Sequence, residues 1–509
     1  MKRSALRAVA IAGSIACLCA LAAVQGCAVG PDYQRPQIDS PAAWTAGTSE
    51  QAPRGGEAAG AQHDAALQQS WWRGFCDDDL AALVERAVRA TPRAREAAAR
   101  VREARALRAV AGAGLWPKLD ATASYSNSRM SEHGFLEGFG TGTNTGGGTL
   151  PGAVLPGQSI DLYQTGFDAQ WEVDLFGHVR RSVQAANAEL QAAEAAYGDA
   201  LLSLAAETAR EVITLRTLDA RLAIAKHNMA AQADTLSVIR QRHDAGVSSE
   251  LDVARAQARL AATEADVPAL RSRRSATMHR LEVLVAADSG ALDRQFEAAH
   301  EVPTPPRLVE AGLPSQLLLR RPDLGRAERE LAAATARIGV ARAELLPRFS
   351  LSGSFGFQSQ QTGNLLTSDS RFWLVGPGMR WPIFDAGRLL ANVEVHSART
   401  EQAAARYEDA VRRALADVET ALTALGSERE RTEALGRAAE AEKRGADLAR
   451  ELFAGGVVEF LQVLDAERSL YYAEDALASS RGAVAEDAVA LYKALAGGWP
   501  TADTSPRPQ

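Results

Sequence analysis

The chain has 509 residues, with 56 Lys+Arg against 63 Asp+Glu, a formal charge of −7 and a hydrophobic share of 46%. The acidic balance excludes a dedicated nucleic-acid binder, which needs a basic stripe. No run of about 18 uncharged apolar residues follows residue 30, so no internal transmembrane helix is expected, and apolar residues recurring at helical spacing exclude disorder as the general state. At about 100–200 residues per domain the length allows three or four domains. Cys17, Cys19, Cys27 and Cys76 are too few for a disulfide framework. The eight histidines are scattered. No His/Cys cluster has metal-ligand spacing, and neither a nucleophile–base pair nor a phosphate loop is visible, so neither an enzyme nor a cofactor is expected.

Residues 1–26 read as a secretory signal peptide. Met1–Arg7 is basic, Ala8–Val24 is apolar and rich in small residues, and Gly26 precedes Cys27. A cysteine directly after the cut is similar to a bacterial lipoprotein signal, in which Cys27 would be acylated and lead the mature chain. Plain secretion with a free Cys27 is the alternative. Each buried acyl CH₂ contributes ~0.8 kcal/mol, so several chains anchor firmly. Residues 27–62 would then be a lipid-anchored segment.

The rest of the chain contains itself twice. Trp171 and Gly177 match Trp381 and Gly387 at an offset of 210, and so do Gly246-Val247 and Gly456-Val457. Leu251, Val253, Ala256 and Leu260 match Leu461, Val463, Ala466 and Leu470 at that same offset. Upstream, Leu115 and Pro117 match Leu345 and Pro347 at 230, so the first copy carries 20 more residues before Trp171. The period is far too long for a solenoid and indicates duplication of one long unit.

Each unit opens with an Ala/Arg-rich helix, Arg93–Ala113 or Ala327–Leu345, stopped by Pro117 or Pro347. Alternating segments follow. Leu119, Ala121, Ala123 and Tyr125 share one face, and Tyr163, Thr165, Phe167, Ala169, Trp171, Val173 and Leu175 share another. Phe349, Leu351, Phe355 and Phe357, then Val375, Pro377, Met379, Trp381 and Ile383, repeat the pattern. Such strands fit either a transmembrane β-barrel or a soluble sheet with one wet face, and the lipoprotein signal favours the barrel. Four strands cannot close around a lumen, and an open edge in lipid costs several kcal/mol per unpaired group. If the barrel exists, its edges must pair with other copies; three chains would supply twelve strands. Gly134–Gln158 reads as a long extracellular loop. Each strand pair leads into a long helical hairpin. Arg180–Asp244 lacks Pro, and sixty-odd residues at ~1.5 Å would span on the order of 100 Å. Leu201, Leu204, Thr208, Leu215, Leu218 and Leu222 mark its seam, answered by Val411, Ala414, Val418, Ala421 and Leu425. The chain turns at Gly246 and Gly456 and returns through Leu251–Val285 and Leu461–Leu495. The divisions expected are 63–116 (equatorial and first helical segment), 117–175 (first β-hairpin), 176–288 (first helical hairpin), 289–346 (equatorial segment and helix), 347–384 (second β-hairpin), 385–497 (second helical hairpin) and 498–509 (tail).

These residues resemble the outer membrane factors, the TolC-like and OprM-like channels, with the lipoprotein branch the nearer match. The resemblance is carried by Val29-Gly30-Pro31-Asp32-Tyr33-Gln34-Arg35-Pro36, by Trp71-Trp72 with Phe75 and Leu80, and by Arg320-Arg321-Pro322-Asp323-Leu324. Ile338-Gly339-Val340-Ala341-Arg342-Ala343, Gly456 through Leu470, and Leu491-Tyr492-Lys493-Ala494-Leu495 complete it, from Cys27 to about Trp499. It implies a mostly α chain with a transmembrane β-barrel: a homotrimer whose four strands per chain complete a 12-stranded barrel, above a long α-helical periplasmic tunnel. It implies a periplasmic adaptor and an inner-membrane pump of the resistance–nodulation–division type as partners, in the outer membrane. By position, Leu461 resembles the apolar ring of the periplasmic gate, Asp465 its acidic ring and Arg468 a nearby basic residue. Gly246, Val247, Gly456 and Val457 resemble the adaptor-contacting tips. The sequence departs from its relatives at Phe453, often tyrosine, and at Val458, sometimes an acid. The bland alternatives are an ordinary exposed acid for Asp465 and simple helix termination for the glycines; Arg271, Arg273 and Arg274 read as a solvated face, with an intersubunit pairing site as the alternative. The function implied is the exit duct of a tripartite efflux system for drugs or other small molecules. A protein-secretion duct is a same-fold alternative, and a poreless coiled-coil lipoprotein is an alternative of another class.

Overall fold

The structure, a computed structural model, describes residues 28–37, 41, 43–45, 70–129, 159–297, 301–306 and 320–495. The signal segment, Cys27, the loop Gly134–Gln158 and the tail 498–509 lie outside the described residues. A 3-10 turn, Trp71–Phe75, precedes α1 (Asp78–Ala90) and α2 (Pro92–Ala113). The first strands are β1 (Lys118–Arg129) and β2 (Ser159–Val173). The first hairpin is α3 (His178–Asp244) and α4 (Glu250–Leu284). The second copy is α5 (Pro322–Ala343), β3 (Arg348–Ser359), β4 (Arg371–Arg380), α6 (Arg388–Ala454) and α7 (Phe460–Ala494). The duplication is preserved to the residue: α3 and α6 each have 67 residues, α4 and α7 each have 35, and all their ends stand at the 210 offset.

The chain divides into two compact units, one with the described residues of 1–34, 105–189 and 332–402, the other with those of 35–104, 190–331 and 403–509. The long helices contribute to both.

The first unit contains the sheet, antiparallel in the order β1-β2-β3-β4. Its register puts the alternating apolar residues on one face: Ala121, Phe167, Phe355 and Trp373 form one row, and Leu119, Ala169, Gly353 and Val375 the next. Asp120, Asp168 and Ser354 belong to the other face. In a strand successive side chains point oppositely, so the sequence alternation becomes one apolar and one polar surface. Trp381 and Ile383 were expected to continue β4, but the strand stops at Arg380. Pro382 has no N–H to extend the ladder, whereas Glu172, its counterpart in β2, pairs with Ser350. Both repeat tryptophans fasten the strand bases to helix ends: Trp171 Nε1 donates to Leu115 O at 3.0 Å and Trp381 Nε1 to Leu345 O at 3.1 Å. The N-terminal segment is gripped by Arg181, which donates to Asp32 Oδ1 at 2.8 Å, Val29 O at 3.2 Å and Gly30 O at 3.2 Å. Gly30 adopts φ +101°, and a Cβ there would lie 2.4 Å from the Gly339 Cα, so no side chain fits.

In the second unit the two expected seams are buried throughout, from Leu201 to Leu222 and from Val411 to Leu425. Small alanines between them bring helices close, and the apolar burial drives their packing at about 25 cal/mol per Å². Asp77 caps α1 by accepting Leu80 N–H at 2.9 Å, and Leu80, Leu83, Val84 and Ala87 bury one helical face. Trp71 stacks on Tyr492 with centroids 5.3 Å apart. Arg216 is wholly buried, bonded to Asp77 (3.4 Å) and Asp79 (2.6 Å), with its guanidinium 4.7 Å from the Phe296 ring centre. The solvated face expected for Arg271, Arg273 and Arg274 is corrected at Arg274, which donates to Asp219 Oδ1 at 2.5 Å and to Phe296 O at 2.6 Å. A buried carboxylate needs a charged partner, and Asp219 on α3 takes this one.

Candidate functional site at the hairpin tips

Both hairpins turn by the same backbone device. Gly246 (φ +75°) and Gly456 (φ +74°) take the left-handed conformation that follows a helix C-terminus. Val247 N–H returns to Arg242 O at 2.8 Å and Gly246 N–H to His243 O at 2.7 Å; Val457 and Gly456 make the matching bonds to Leu452 O (2.9 Å) and Phe453 O (3.0 Å). These are Schellman pairs, which satisfy the last carbonyls of the long helices. The turns leave Val247 and Val457 65% and 71% exposed.

The returning helices start differently. Ser249 caps α4 in a reciprocal box: its Oγ accepts Asp252 N–H at 3.2 Å, and Asp252 Oδ2 accepts Ser249 N–H at 3.2 Å. At the equivalent place α7 has Glu459, which makes no side-chain cap. A cap of this kind contributes about 1 kcal/mol, so the second tip is fastened less strongly at that point.

Leu461, Asp465 and Arg468 lie four and three residues apart near the start of α7, one stripe of the helix. Leu461 is 47% exposed, and Asp465 and Arg468 are ion-paired with more than half of each side chain in solvent. The stripe therefore faces away from the chain's own core. Behind it, Phe460 and Val463 are buried with Leu236, Ile239, Val253 and Ala256. Glu467 is buried too, receiving Arg450 Nε at 2.9 Å and Thr235 Oγ1 at 3.3 Å. Thus α7 carries a charged face outward and an anchored carboxylate inward.

Other tip contacts are not read from the sequence. Arg242 donates to Phe453 O at 3.2 Å and lies 4.5 Å from the centre of its ring, joining the two hairpins. With Asp234, Val238, Arg450 and Val463 these residues line a cleft of about 360 Å³. Higher on α7, Tyr471 donates to Asp266 Oδ2 at 3.1 Å, and burial together with that carboxylate pushes its hydroxyl up to about 12. The repeat changes chemistry at the caps and at the Phe453 site, where His243 and Ser249 of the first copy become Phe453 and Glu459 of the second.

Three comparisons locate this arrangement among known proteins. The family model for "Outer membrane efflux protein" matches residues 83–287 and 313–497. The pyoverdine export outer membrane protein OpmQ of Pseudomonas aeruginosa is 31% identical over 445 residues, 87% of this chain and 90% of that one. The toluene efflux pump outer membrane protein TtgI of Pseudomonas putida is 31% identical over 484 residues, 94% of this chain and 97% of its own. Among solved structures, the outer-membrane channel OprN superposes with a TM-score of 0.81 at 35% identity, covering 93% of this chain and all of that one. The chain belongs to the outer membrane efflux protein family. It is an outer-membrane channel with the barrel-and-helical-tunnel fold, the exit duct of an efflux system.

Proposed function

We propose that the second hairpin is the periplasmic gate of this duct, with Leu461, Asp465 and Arg468 lining its narrowest ring. The observation that carries this reading is the outward stripe on an uncapped helix start, beside a first hairpin whose start is capped. Three chains would close a 12-stranded barrel, because an unpaired strand edge is not tolerated in lipid. Three copies of Asp465 would gather cations at the entrance, and their pairing with Arg468 would be exchanged when the hairpins move apart. The exposed Val247 and Val457, with Gly246 and Gly456, offer an apolar rim to a periplasmic adaptor, with a resistance–nodulation–division pump beneath it. The cargo is drugs or other small organic molecules; relatives that export pyoverdine or pump toluene support that class. Cys27 is the acylated anchor, and the barrel adds a second hold on the membrane.

Planar-bilayer recording of the purified trimer tests the gate. Asp465→Ala with Arg468→Ala should raise the current above wild type. Equal currents would remove the gate assignment, and silence in every channel would remove the duct itself. Acyl labelling that survives Cys27→Ser would remove the anchor.

A further inference from the structure

The polar face of the sheet has an interruption. Along β4, Arg371, Trp373, Val375, Pro377 and Met379 share the apolar face, so Phe372 and Leu374 share the polar one. Their rows across the sheet are Phe372–Gly356–Gly166–Thr122 and Leu374–Ser354–Asp168–Asp120. Phe372 and Leu374 are near the hairpin end of β4, Ser354 is midway along β3, and Asp168 and Asp120 lie toward the helix ends of β2 and β1.

The glycines are matched to the aromatic ring. A Cβ on Gly356 would stand 3.1 Å from Phe372 Cε1 and 2.3 Å from Thr165 O, so the ring lies on bare backbone. No side chain of Gly356 or Gly166 can cover it. Leu374 is 66% exposed. The neighbouring row supplies charge: Asp168 accepts Thr122 Oγ1 at 2.9 Å, and among the described residues it pairs with no cation, whereas Asp120 is paired with Lys118 at 2.8 Å. At about 4.8 Å per strand, Leu374 and Asp168 are ~10 Å apart, the width of a two-ring molecule. In a barrel the polar face lines the lumen.

We propose that Phe372, Leu374 and Asp168 form a contact site for amphipathic aromatic cations on the lumen wall, one per chain, within the span of the barrel. Phe372 and Leu374 take the rings, and Asp168 takes the positive charge from the far side. The site rests on the duct reading and is independent of the periplasmic gate. Its occupant is a solute in passage, because the site combines an apolar surface with a carboxylate that meets no cation among the described residues, in a wet channel. A neighbouring chain's strand packed over the pair is the competing occupant.

The test is bilayer recording with tetraphenylphosphonium added from the barrel side, on wild type, Leu374→Ser, Phe372→Ser with Leu374→Ser, Asp168→Asn and Trp373→Ser. Block by the probe should weaken by roughly two- to tenfold in each lumen variant and stay unchanged for Trp373→Ser on the opposite face. Leu374→Ser keeps the test open if the double variant does not assemble, since its side chain is already exposed. Tetramethylammonium, a cation without rings, should act alike on wild type and on the Phe372 and Leu374 variants. Block by tetraphenylphosphonium that is equal in wild type and Leu374→Ser, at equal unitary conductance, overturns the site. No current in any channel overturns the duct reading and the site with it.

Discussion

His243 and Phe453 hold equivalent places in the two copies of the repeat, and they contact opposite kinds of partner. His243 Nδ1 lies 3.1 Å from Ser248 O and its Nε2 lies 3.3 Å from Glu250, so the first tip is tied to itself. Phe453 packs on Phe460 of its own hairpin at 5.7 Å and beneath the Arg242 guanidinium, so the second tip is tied both to itself and to the first. Glu250 and Phe460 are themselves equivalent positions. One duplicated turn has thus become a tip fastened by a polar pair and a tip fastened by an apolar pair that the neighbouring hairpin also grips. A hairpin held from outside can be released without unfolding, as a moving gate requires.

Arg242 should therefore act as a latch. A cation over an aromatic ring contributes about 0.5–2 kcal/mol depending on exposure. Losing about 1 kcal/mol shifts an open-to-closed ratio roughly fivefold. Arg242→Ala should raise the open probability of the channel, Phe453→Ala should do likewise, and the double variant should exceed neither single variant by much. Fully additive effects in single-channel records would show that the two side chains do not act together.

The caps make a second, opposite prediction. Ser249→Ala should loosen the start of α4 by about 1 kcal/mol. Glu459→Ser puts a hydroxyl three residues before Gln462, the spacing of a capping box, and should tighten the start of α7. Amide exchange read by mass spectrometry should slow over residues 457–463 in Glu459→Ser, and the open current should fall. Unchanged exchange in that variant would mean the cap does not form.

Much of this was legible in the sequence, for a physical reason. Period and offset are properties of single segments, so helix lengths, strand faces and both glycine turns could be read directly. The buried Leu201–Leu222 and Val411–Leu425 seams follow from spacing alone. What escaped depends on segments meeting across long separations. Arg242 and Phe453 are 211 residues apart. Arg274 sits in a run of arginines that resembles a solvated face, and only its approach to Asp219 shows otherwise. The end of β4 turned on one missing N–H, at Pro382, inside an alternation that continued past it.

Arg216 gives the largest expected effect on stability. Its guanidinium joins α3 to Asp77 and Asp79, and Asp77 also caps α1. Removing one partner of a fully buried ion pair costs about 3–5 kcal/mol, and with Asp77 and Asp79 11% and 25% exposed the cost here falls toward or below the lower figure. Arg216→Met should lower the thermal midpoint of the detergent-solubilised protein well below that of Arg273→Met, whose side chain is exposed. Similar midpoints for both variants would show that the cluster adds no net stability.

Asp199 predicts how stability depends on pH. It borders a cavity of about 470 Å³ with Asp323, Asp417, Asp487, Arg321 and Lys493. Burial, and then the Asp323 charge, raise its carboxyl above the ordinary value of 3.8, against the opposing pull of Arg326, Lys493 and Arg321. A group whose folded value is raised is harder to ionise in the fold than in the unfolded chain. Below the ordinary value both states are protonated and the group is neutral to stability. As pH rises from there through the raised folded value, the unfolded state ionises first and the fold loses stability, reaching a constant deficit above it. Asp199→Asn removes the ionisation. It should raise the thermal midpoint at neutral pH, and this advantage should shrink to nothing as pH falls below the ordinary aspartate range. Melting curves of both proteins across that interval check the sign: a difference independent of pH would mean that shape, and not charge, separates them.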